Sequence, residues 1–204
     1  MLRRFFTRLN PEKNITIVSG LPRSGTSMMM KMLAAGGLEI LTDNIRQADP
    51  DNPVGYFEYE PVKELKDDKT AWLNQANGKV VKVIASLLPH LPSEYLYKVI
   101  FMQRDILEIL ASQRKMLLSR NKDPNAINDE EMAQIFNRHL KNVFDWMESQ
   151  TNVSFIQVSY NDLINDPEPH LITINQFFNN VLDIDKMLLV VDPSLYRQRI
   201  NKSS

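Results

Sequence analysis

The chain contains no cysteine among its 204 residues. A chain without thiols forms no disulfide, no thiolate metal site and no cysteine nucleophile, and it suits a reducing compartment. Histidine is also scarce, because the three that occur are far apart, at positions 90, 139 and 170. Neither histidine pairs nor carboxylate clusters have the spacing of metal ligands. The sequence therefore predicts no bound metal.

An excess of either charge is missing as well, because 24 lysines and arginines stand against 25 aspartates and glutamates. Without a broad basic surface, nothing indicates a nucleic acid partner. No apolar run approaches the roughly 18 residues needed to span a membrane, and the N-terminus lacks the sustained apolar segment of a secretion signal. We therefore expect a soluble, unexported, cytoplasmic protein without an integral membrane segment.

No linker rich in proline, glycine or serine divides the chain, so we expect residues 1–204 to form a single domain. Compact apolar runs predict strands at 15–19, 38–41, 79–84, 98–103 and 153–160. Helical spacing predicts helices at 25–36, at 105–118 with a capping-box-like pair of Asp105 and Glu108, at 129–148, and at 162–178 with a break at Asp166-Pro167. This alternation indicates a parallel sheet covered by helices on both faces.

The most informative segment is the loop of residues 20–27, Gly-Leu-Pro-Arg-Ser-Gly-Thr-Ser. It follows the first predicted strand and leads into a helix, which is the arrangement that cradles a phosphate. Gly20 and Gly25 permit backbone angles and close approaches that a side chain would block. The exposed N–H groups at the start of the helix attract an anion. The sequence therefore predicts a phosphate site at this loop.

The loop departs at one position from the P-loop pattern G-x-x-x-x-G-K-[ST]. Thr26 stands in place of the lysine that neutralises the terminal phosphates of ATP, and Arg23 supplies a cation inside the loop. This exchange argues against an ordinary ATP or GTP hydrolase. It indicates a substrate whose acid anhydride differs from the triphosphate of ATP or GTP.

Two further segments complete a family pattern. Arg104 directly follows the fourth predicted strand, Ser112 comes eight positions later, and residues 160–167 read Tyr-Asn-Asp-Leu-Ile-Asn-Asp-Pro. With the loop, and in this order, they resemble the sulfotransferase family, whose members are similar to nucleotide kinases in fold and use 3′-phosphoadenosine 5′-phosphosulfate as sulfuryl donor. The resemblance covers residues 15 to about 180. It implies an α/β fold, a P-loop NTPase-like three-layer sandwich with a central parallel sheet flanked by helices.

The resemblance implies a role for each part of the loop. The backbone of Ser24, Gly25 and Thr26 would bind the 5′-phosphosulfate of the donor, together with the hydroxyls of Thr26 and Ser27. Arg23 matches a position that is lysine or arginine in the family. A cation there would offset the charge that builds on the oxygen between phosphorus and sulfur.

The later segments would bind the rest of the donor. Arg104 and Ser112 match the family pair that binds the 3′-phosphate, the group that distinguishes this donor from ATP. Tyr160 matches an aromatic that lies against the adenine, although an aromatic at a strand end serves equally well in the core. Residues 191–197 resemble the tail of bacterial relatives, where Arg197 or Arg199 would close over a donor phosphate.

The general base is not carried over from the cytosolic members of the family, in which a histidine follows the third strand. Lys82 matches the lysine two residues before it, but Ile84 stands in the histidine's place. Residues 52–60 resemble an N-P-x-G-[YF]-x-E loop of bacterial relatives, which makes Glu58 the candidate base. Glu58 could equally be a solvated loop acid. Lys82 could stabilise the transferring group or simply lie at the surface.

These features predict a sulfotransferase that moves a sulfuryl group to a hydroxyl or amine of a small-molecule or glycan acceptor. By resemblance the reaction needs no metal. Two alternatives stay open, a P-loop ATP-dependent small-molecule kinase and a catalytically inactive nucleotide-binding relative. No pattern in the sequence indicates the acceptor or the oligomeric state.

Overall fold

The computed structural model describes residues 13–49, 52, 55–119, 121, 123 and 128–192. At the centre of this part of the chain lies a five-stranded parallel sheet with the strand order β2-β3-β1-β4-β5. The strands are β1 (Asn14–Gly20), β2 (Ile40–Leu41), β3 (Val80–Lys82), β4 (Leu96–Gln103) and β5 (Val153–Ser159). The predicted α/β class with a parallel central sheet is confirmed.

Helices cover both faces of this sheet. They are α1 (Thr26–Ala35), α2 (Leu73–Ala76), α3 (Ile106–Ser119), α4 (Asp129–Ser149), α5 (Tyr160–Asn165), α6 (Pro167–Phe177) and α7 (Ile184–Leu188). Two 3-10 helices, Glu60–Asp67 and Ala85–His90, lie in the connections before and after β3. The break predicted at Asp166-Pro167 separates α5 from α6, because proline cannot continue the helix that precedes it.

Two apolar cores lie on opposite sides of the sheet. Successive strand residues point to opposite faces, so the neighbours Ile17 and Val18 of β1 enter different cores. Ile17 packs in the cluster that contains Val143 and Met147 of α4, whereas Val18 packs in the cluster that contains Met29 of α1. The sheet is therefore the middle of three layers.

The strand register brings the predicted site segments together. Gly20 at the end of β1 pairs with Met102 in β4, and Gln103 at the end of β4 pairs with Ser159 at the end of β5. The three strands end at one edge of the sheet. The loop of residues 20–27, Arg104 and Tyr160 therefore emerge side by side.

The sequence predicted that Tyr160 ends a strand. In the structure it is instead the first residue of α5. The Ser159 hydroxyl accepts a hydrogen bond from the N–H of Asp162 at 3.2 Å and so caps this helix. The cap begins the helix two residues earlier than the apolar pattern indicates. Among the described residues, no helix combines the length and apolar character needed to cross a membrane.

Candidate active site

The loop after β1 requires both of its glycines. Gly20 has a φ of 148° and Gly25 a φ of 97°, angles that side chains rarely adopt. A Cβ on Gly20 would lie 2.5 Å from Ser24 Oγ and 2.6 Å from the carbonyl oxygen of Met102. A Cβ on Gly25, the residue just before α1, would overlap the ring of Tyr160. The loop therefore packs too closely for any larger residue at these two positions.

Arg23 lies in the left-handed region, with a φ of 74°, although it is not a glycine. Two contacts hold it there. Arg104 Nη1 donates to the carbonyl oxygen of Arg23 at 3.2 Å, and Arg23 Nε donates to Ser112 Oγ at 2.9 Å. The structure thus brings together the three residues whose spacing suggested a phosphate site.

Arg104 is almost fully buried, with 8% of its side chain exposed. Its Nε donates to Glu108 Oε2 at 2.9 Å, and Asn161 Nδ2 donates to the same oxygen at 3.0 Å. The Arg104 guanidinium lies 4.7 Å from the centroid of the Tyr160 ring. Tyr160 is itself buried, against Gly25. The tyrosine therefore supports both the loop and the arginine.

A cavity of about 610 Å³ opens at this edge of the sheet, lined in part by Ser24, Arg104, Glu108 and Asn161. The Ser24 hydroxyl is buried and, within the described part of the chain, has no hydrogen-bond partner. Leaving a buried hydroxyl unpaired costs free energy. A loop hydroxyl in this state suits a ligand that brings acceptor oxygens, as a phosphate does.

Lys82, the last residue of β3, faces the other side of the loop. Its Nζ donates to the carbonyl oxygen of Tyr56 at 2.7 Å and to Ser27 Oγ at 3.1 Å. Loss of hydration lowers the pKa of Lys82 from its ordinary value of 10.5 to about 8, although the charge of Glu58 partly opposes this shift. Lys82 is thus a cation on the side of the loop opposite Arg104.

Glu58 lies in the long loop before the first 3-10 helix and is paired with an arginine. Its Oε1 accepts a hydrogen bond from Arg46 Nη1 at 3.0 Å. The Arg46 guanidinium stacks 3.3 Å from the centroid of the Tyr56 ring. The Glu58 carboxylate is 28% exposed, so it is neither buried nor fully solvated. The side chain is therefore partly open to solvent.

Comparison with known proteins identifies the family. Residues 13–197 match the sequence model of the sulfotransferase domain. The chain belongs to the sulfotransferase family. A search of curated protein sequences found no significant match.

Solved structures show the fold of this sulfotransferase. The sulfotransferase domain of the Synechococcus PCC 7002 olefin synthase is 20% identical, with 94% of this chain and 90% of that domain covered and a TM-score of 0.52. The Mycobacterium tuberculosis sulfotransferase STF1 is 17% identical, with 88% of this chain and 70% of that one covered and a TM-score of 0.58. The predicted P-loop NTPase-like three-layer fold is confirmed.

The sulfotransferase places its predicted residues in two groups around the loop. Members of the family generally take the sulfuryl group from 3′-phosphoadenosine 5′-phosphosulfate and act on small-molecule or glycan acceptors. The first group comprises residues 23–27, Arg104 and Tyr160 at the ends of β1, β4 and β5, together with Ser112 on α3. The second group, Lys82 and Glu58, lies toward β3. Arg197, Arg199 and residues 53 and 54 lie outside the described residues.

Sequence reasoning missed four residues that contact these groups. Glu108 was taken for half of a capping box, yet its position four residues after Arg104 is an ion-pair spacing that could have indicated its partner. Asn161 lies within the third family segment but carried no predicted role. Arg46 and Asn52, which contacts Ser27 Oγ at 3.0 Å, lie in an irregular loop whose contacts follow no periodic pattern.

The described residues contain no group of three histidine, aspartate or glutamate side chains placed to hold a metal ion. His90, at the end of the 3-10 helix Ala85–His90, is exposed. The described side chains around the loop include cations, hydroxyls and the carboxylates of Glu58 and Glu108.

Proposed function

We propose that this sulfotransferase uses 3′-phosphoadenosine 5′-phosphosulfate as donor and transfers the sulfuryl group to a hydroxyl or amine of a small-molecule or glycan acceptor. The observation that carries the donor assignment is the contact of both Arg104 and Ser112 with Arg23 of the phosphate loop. A donor with phosphates on both the 3′ and 5′ positions needs two adjoining cationic sites. Arg104 and Arg23 supply such a pair.

Each donor phosphate has a set of residues suited to it. The N–H groups at the start of α1 and the hydroxyls of Ser24, Thr26 and Ser27 would hold the 5′-phosphosulfate, as helix N-termini hold anions in general. Arg104 and Ser112 would hold the 3′-phosphate, because guanidinium and hydroxyl donors make strong hydrogen bonds to phosphate oxygens. Tyr160, as a buried support of Arg104, is better suited to shape this site than to offer an open face to the adenine.

The reaction is an in-line transfer. The acceptor oxygen attacks sulfur while the bond between sulfur and the bridging phosphate oxygen breaks, and adenosine 3′,5′-bisphosphate leaves. The acceptor proton passes to the Glu58 carboxylate. Arg23 and the loop N–H groups stabilise the negative charge that develops on the leaving phosphate. An arginine suits this task because it stays charged at every working pH.

Lys82 acts on the transferring group. Its ammonium is held by Tyr56 and Ser27 beside the loop. From there it can stabilise the oxygens of the sulfuryl group as they carry charge between donor and acceptor. Arg46 keeps the Glu58 carboxylate in place by pairing with one of its oxygens. The other oxygen is the one available to take the proton.

Titration calorimetry with adenosine 3′,5′-bisphosphate tests the donor assignment. We expect Arg104→Ala to weaken binding roughly 10- to 100-fold, because a charge-assisted contact to phosphate is lost. Arg114→Ala is the matched control, since Arg114 lies on α3, the helix that directly follows Arg104, is 42% exposed and pairs with Asp129. Its affinity should equal that of the unaltered chain.

Other outcomes point to the alternatives. Preference for ATP with Mg²⁺ over the bisphosphate would overturn the donor assignment and indicate a kinase. Tight binding of the bisphosphate without turnover of any hydroxyl or amine acceptor would indicate an inactive relative. Sulfated product from a panel of acceptors would support the full proposal.

A further inference from the structure

Glu108 is a buried acid beside a site for anions. Only 3% of its side chain is exposed, and it is paired with Arg104 at 2.9 Å. A carboxylate this close to a bound phosphate opposes binding through Coulomb repulsion. A purely electrostatic design of the site would therefore leave this position neutral. The carboxylate must contribute something other than charge.

Two elements meet at the Glu108 carboxylate. Arg104 precedes α3, and Asn161 is the second residue of α5. Asn161 Nδ2 donates to Glu108 Oε2 at 3.0 Å, while Asn161 Oδ1 accepts from the N–H of Asp105 at 3.4 Å. The asparagine thereby links the carboxylate to the end of β5. The position of the Glu108 oxygen is fixed from outside its own helix.

The Arg104 guanidinium is fixed at two of its nitrogens. Its Nε is bound to Glu108 Oε2, and its Nη1 is bound to the carbonyl oxygen of Arg23. One face packs over Tyr160. Because a guanidinium is planar, two bound nitrogens and one packed face define its orientation completely. Removing the Glu108 acceptor would release the Nε end of the guanidinium, whereas Nη1 would stay bound to Arg23.

We propose that Glu108, held by Asn161, is a positioning residue that sets the plane of the Arg104 guanidinium for the 3′-phosphate of the donor. Glu108 does not contact the donor and acts only through Arg104. This inference rests on the proposed donor. Glu108 and Ser112 are four residues apart and so lie along one side of α3, and Arg104, just before this helix, is four residues before Glu108. The orientation of Arg104 is thereby matched to Ser112, the second ligand of the same phosphate.

Two substitutions separate positioning from charge. Glu108→Gln keeps an acceptor oxygen and removes the charge, whereas Glu108→Met keeps the length and removes the acceptor. Calorimetry with adenosine 3′,5′-bisphosphate and with adenosine 5′-phosphate then isolates the contribution of the 3′-phosphate. We expect Glu108→Met to weaken bisphosphate binding roughly 10- to 100-fold while changing the 5′-phosphate affinity less than about twofold. Glu108→Gln should bind the bisphosphate at least as tightly as the unaltered chain, since repulsion is removed and geometry is kept.

Two further variants keep the test decisive if Glu108→Met does not fold, which its 5′-phosphate affinity would reveal. Asn161→Ala removes one anchor of the carboxylate, and we expect a selective loss of bisphosphate affinity of roughly three- to tenfold. In an Arg104→Met background, where no guanidinium remains to be oriented and no buried cation is left unpaired, Glu108→Met should cause no further loss.

The outcomes distinguish this inference from the proposed function. If the unaltered chain binds the bisphosphate no better than the 5′-phosphate, the donor assignment fails and the inference fails with it. If the unaltered chain prefers the bisphosphate and both Glu108→Met and Asn161→Ala keep that preference, only the inference is overturned. Equal loss of both nucleotides in these variants would show a structural role and would likewise overturn it.

Discussion

At the level of single residues, Lys82 carries a charge that changes near physiological pH. Burial lowers its pKa to about 8, and the charged form is the one that stabilises a sulfuryl group. We expect kcat/KM to fall as pH rises through about 8, because the free enzyme loses this cation. Lys82→Arg should remove that decline, since arginine stays protonated, and Lys82→Met should be slow at every pH.

The stability of the fold should respond to Lys82 in the opposite direction. Unfolded Lys82 holds its proton up to its ordinary value of 10.5, whereas the folded residue loses it near 8. Between these values the unfolded state binds more protons, so the Lys82 contribution to the free energy of unfolding rises with pH.

If kcat/KM stayed flat through pH 8 in the unaltered chain, Lys82 would have no charge role in transfer.

Glu58 can be tested against a neighbouring acid. We expect Glu58→Gln to lower kcat roughly 100-fold, because an amide cannot take the acceptor proton, while affinity for adenosine 3′,5′-bisphosphate is unchanged. Glu60→Gln is the control, since Glu60 is exposed and pairs with Lys63. Steady-state kinetics with a sulfatable acceptor would measure both. An undiminished rate in Glu58→Gln would dismiss it as the base.

At the scale of elements, the phosphate loop depends on the close packing of Gly25 against Tyr160. We expect Gly25→Ala to abolish bisphosphate binding and to lower stability by roughly 2–4 kcal/mol, because the new methyl group is strained and also overlaps the ring. Gly37→Ala is the control, since Gly37 has a φ of 104° but open space around it. It should cost only about 1 kcal/mol and leave binding intact. Thermal unfolding and calorimetry would compare the two, and equal effects would show that strain alone matters.

The elements themselves were largely predictable, because each strand and helix has its own apolar period. That Arg23, Arg104 and Ser112 would lie close together was predictable for a related reason. Arg23, Arg104 and Ser112 lie at fixed spacings from strand ends, and parallel strands bring their ends to one edge. The start of α5 was not predictable from period, because the Ser159 cap decides it. The Arg46 partner of Glu58 could not be predicted either, since the described residues between β2 and the 3-10 helix Glu60–Asp67 have no repeating geometry.

At the scale of the whole molecule, both apolar cores depend on the same sheet. Neighbouring residues of β1 supply opposite cores, so neither core persists if the strand is lost. We infer that the described elements around this sheet behave as one domain and unfold in a single transition. Adenosine 3′,5′-bisphosphate at about 100 times its Kd should raise the Tm by roughly 5–10 °C. Calorimetry that resolved two independent transitions, with only one shifted by the ligand, would contradict the single domain.

The two contacts that hold Arg23 also set when the phosphate loop can first take shape during synthesis. The Arg23 carbonyl oxygen accepts a hydrogen bond from Arg104, which is synthesised 81 positions later. The Arg23 side chain donates to Ser112, which is synthesised 89 positions later. At a translation rate of roughly 5–20 residues per second, that delay is several seconds. A ribosome-bound chain that stops before Ser112 has made the whole loop sequence but lacks the hydroxyl that accepts the hydrogen bond from Arg23 Nε. Capture of the bisphosphate by nascent chains of increasing length should therefore begin only after α3 has emerged from the ribosome.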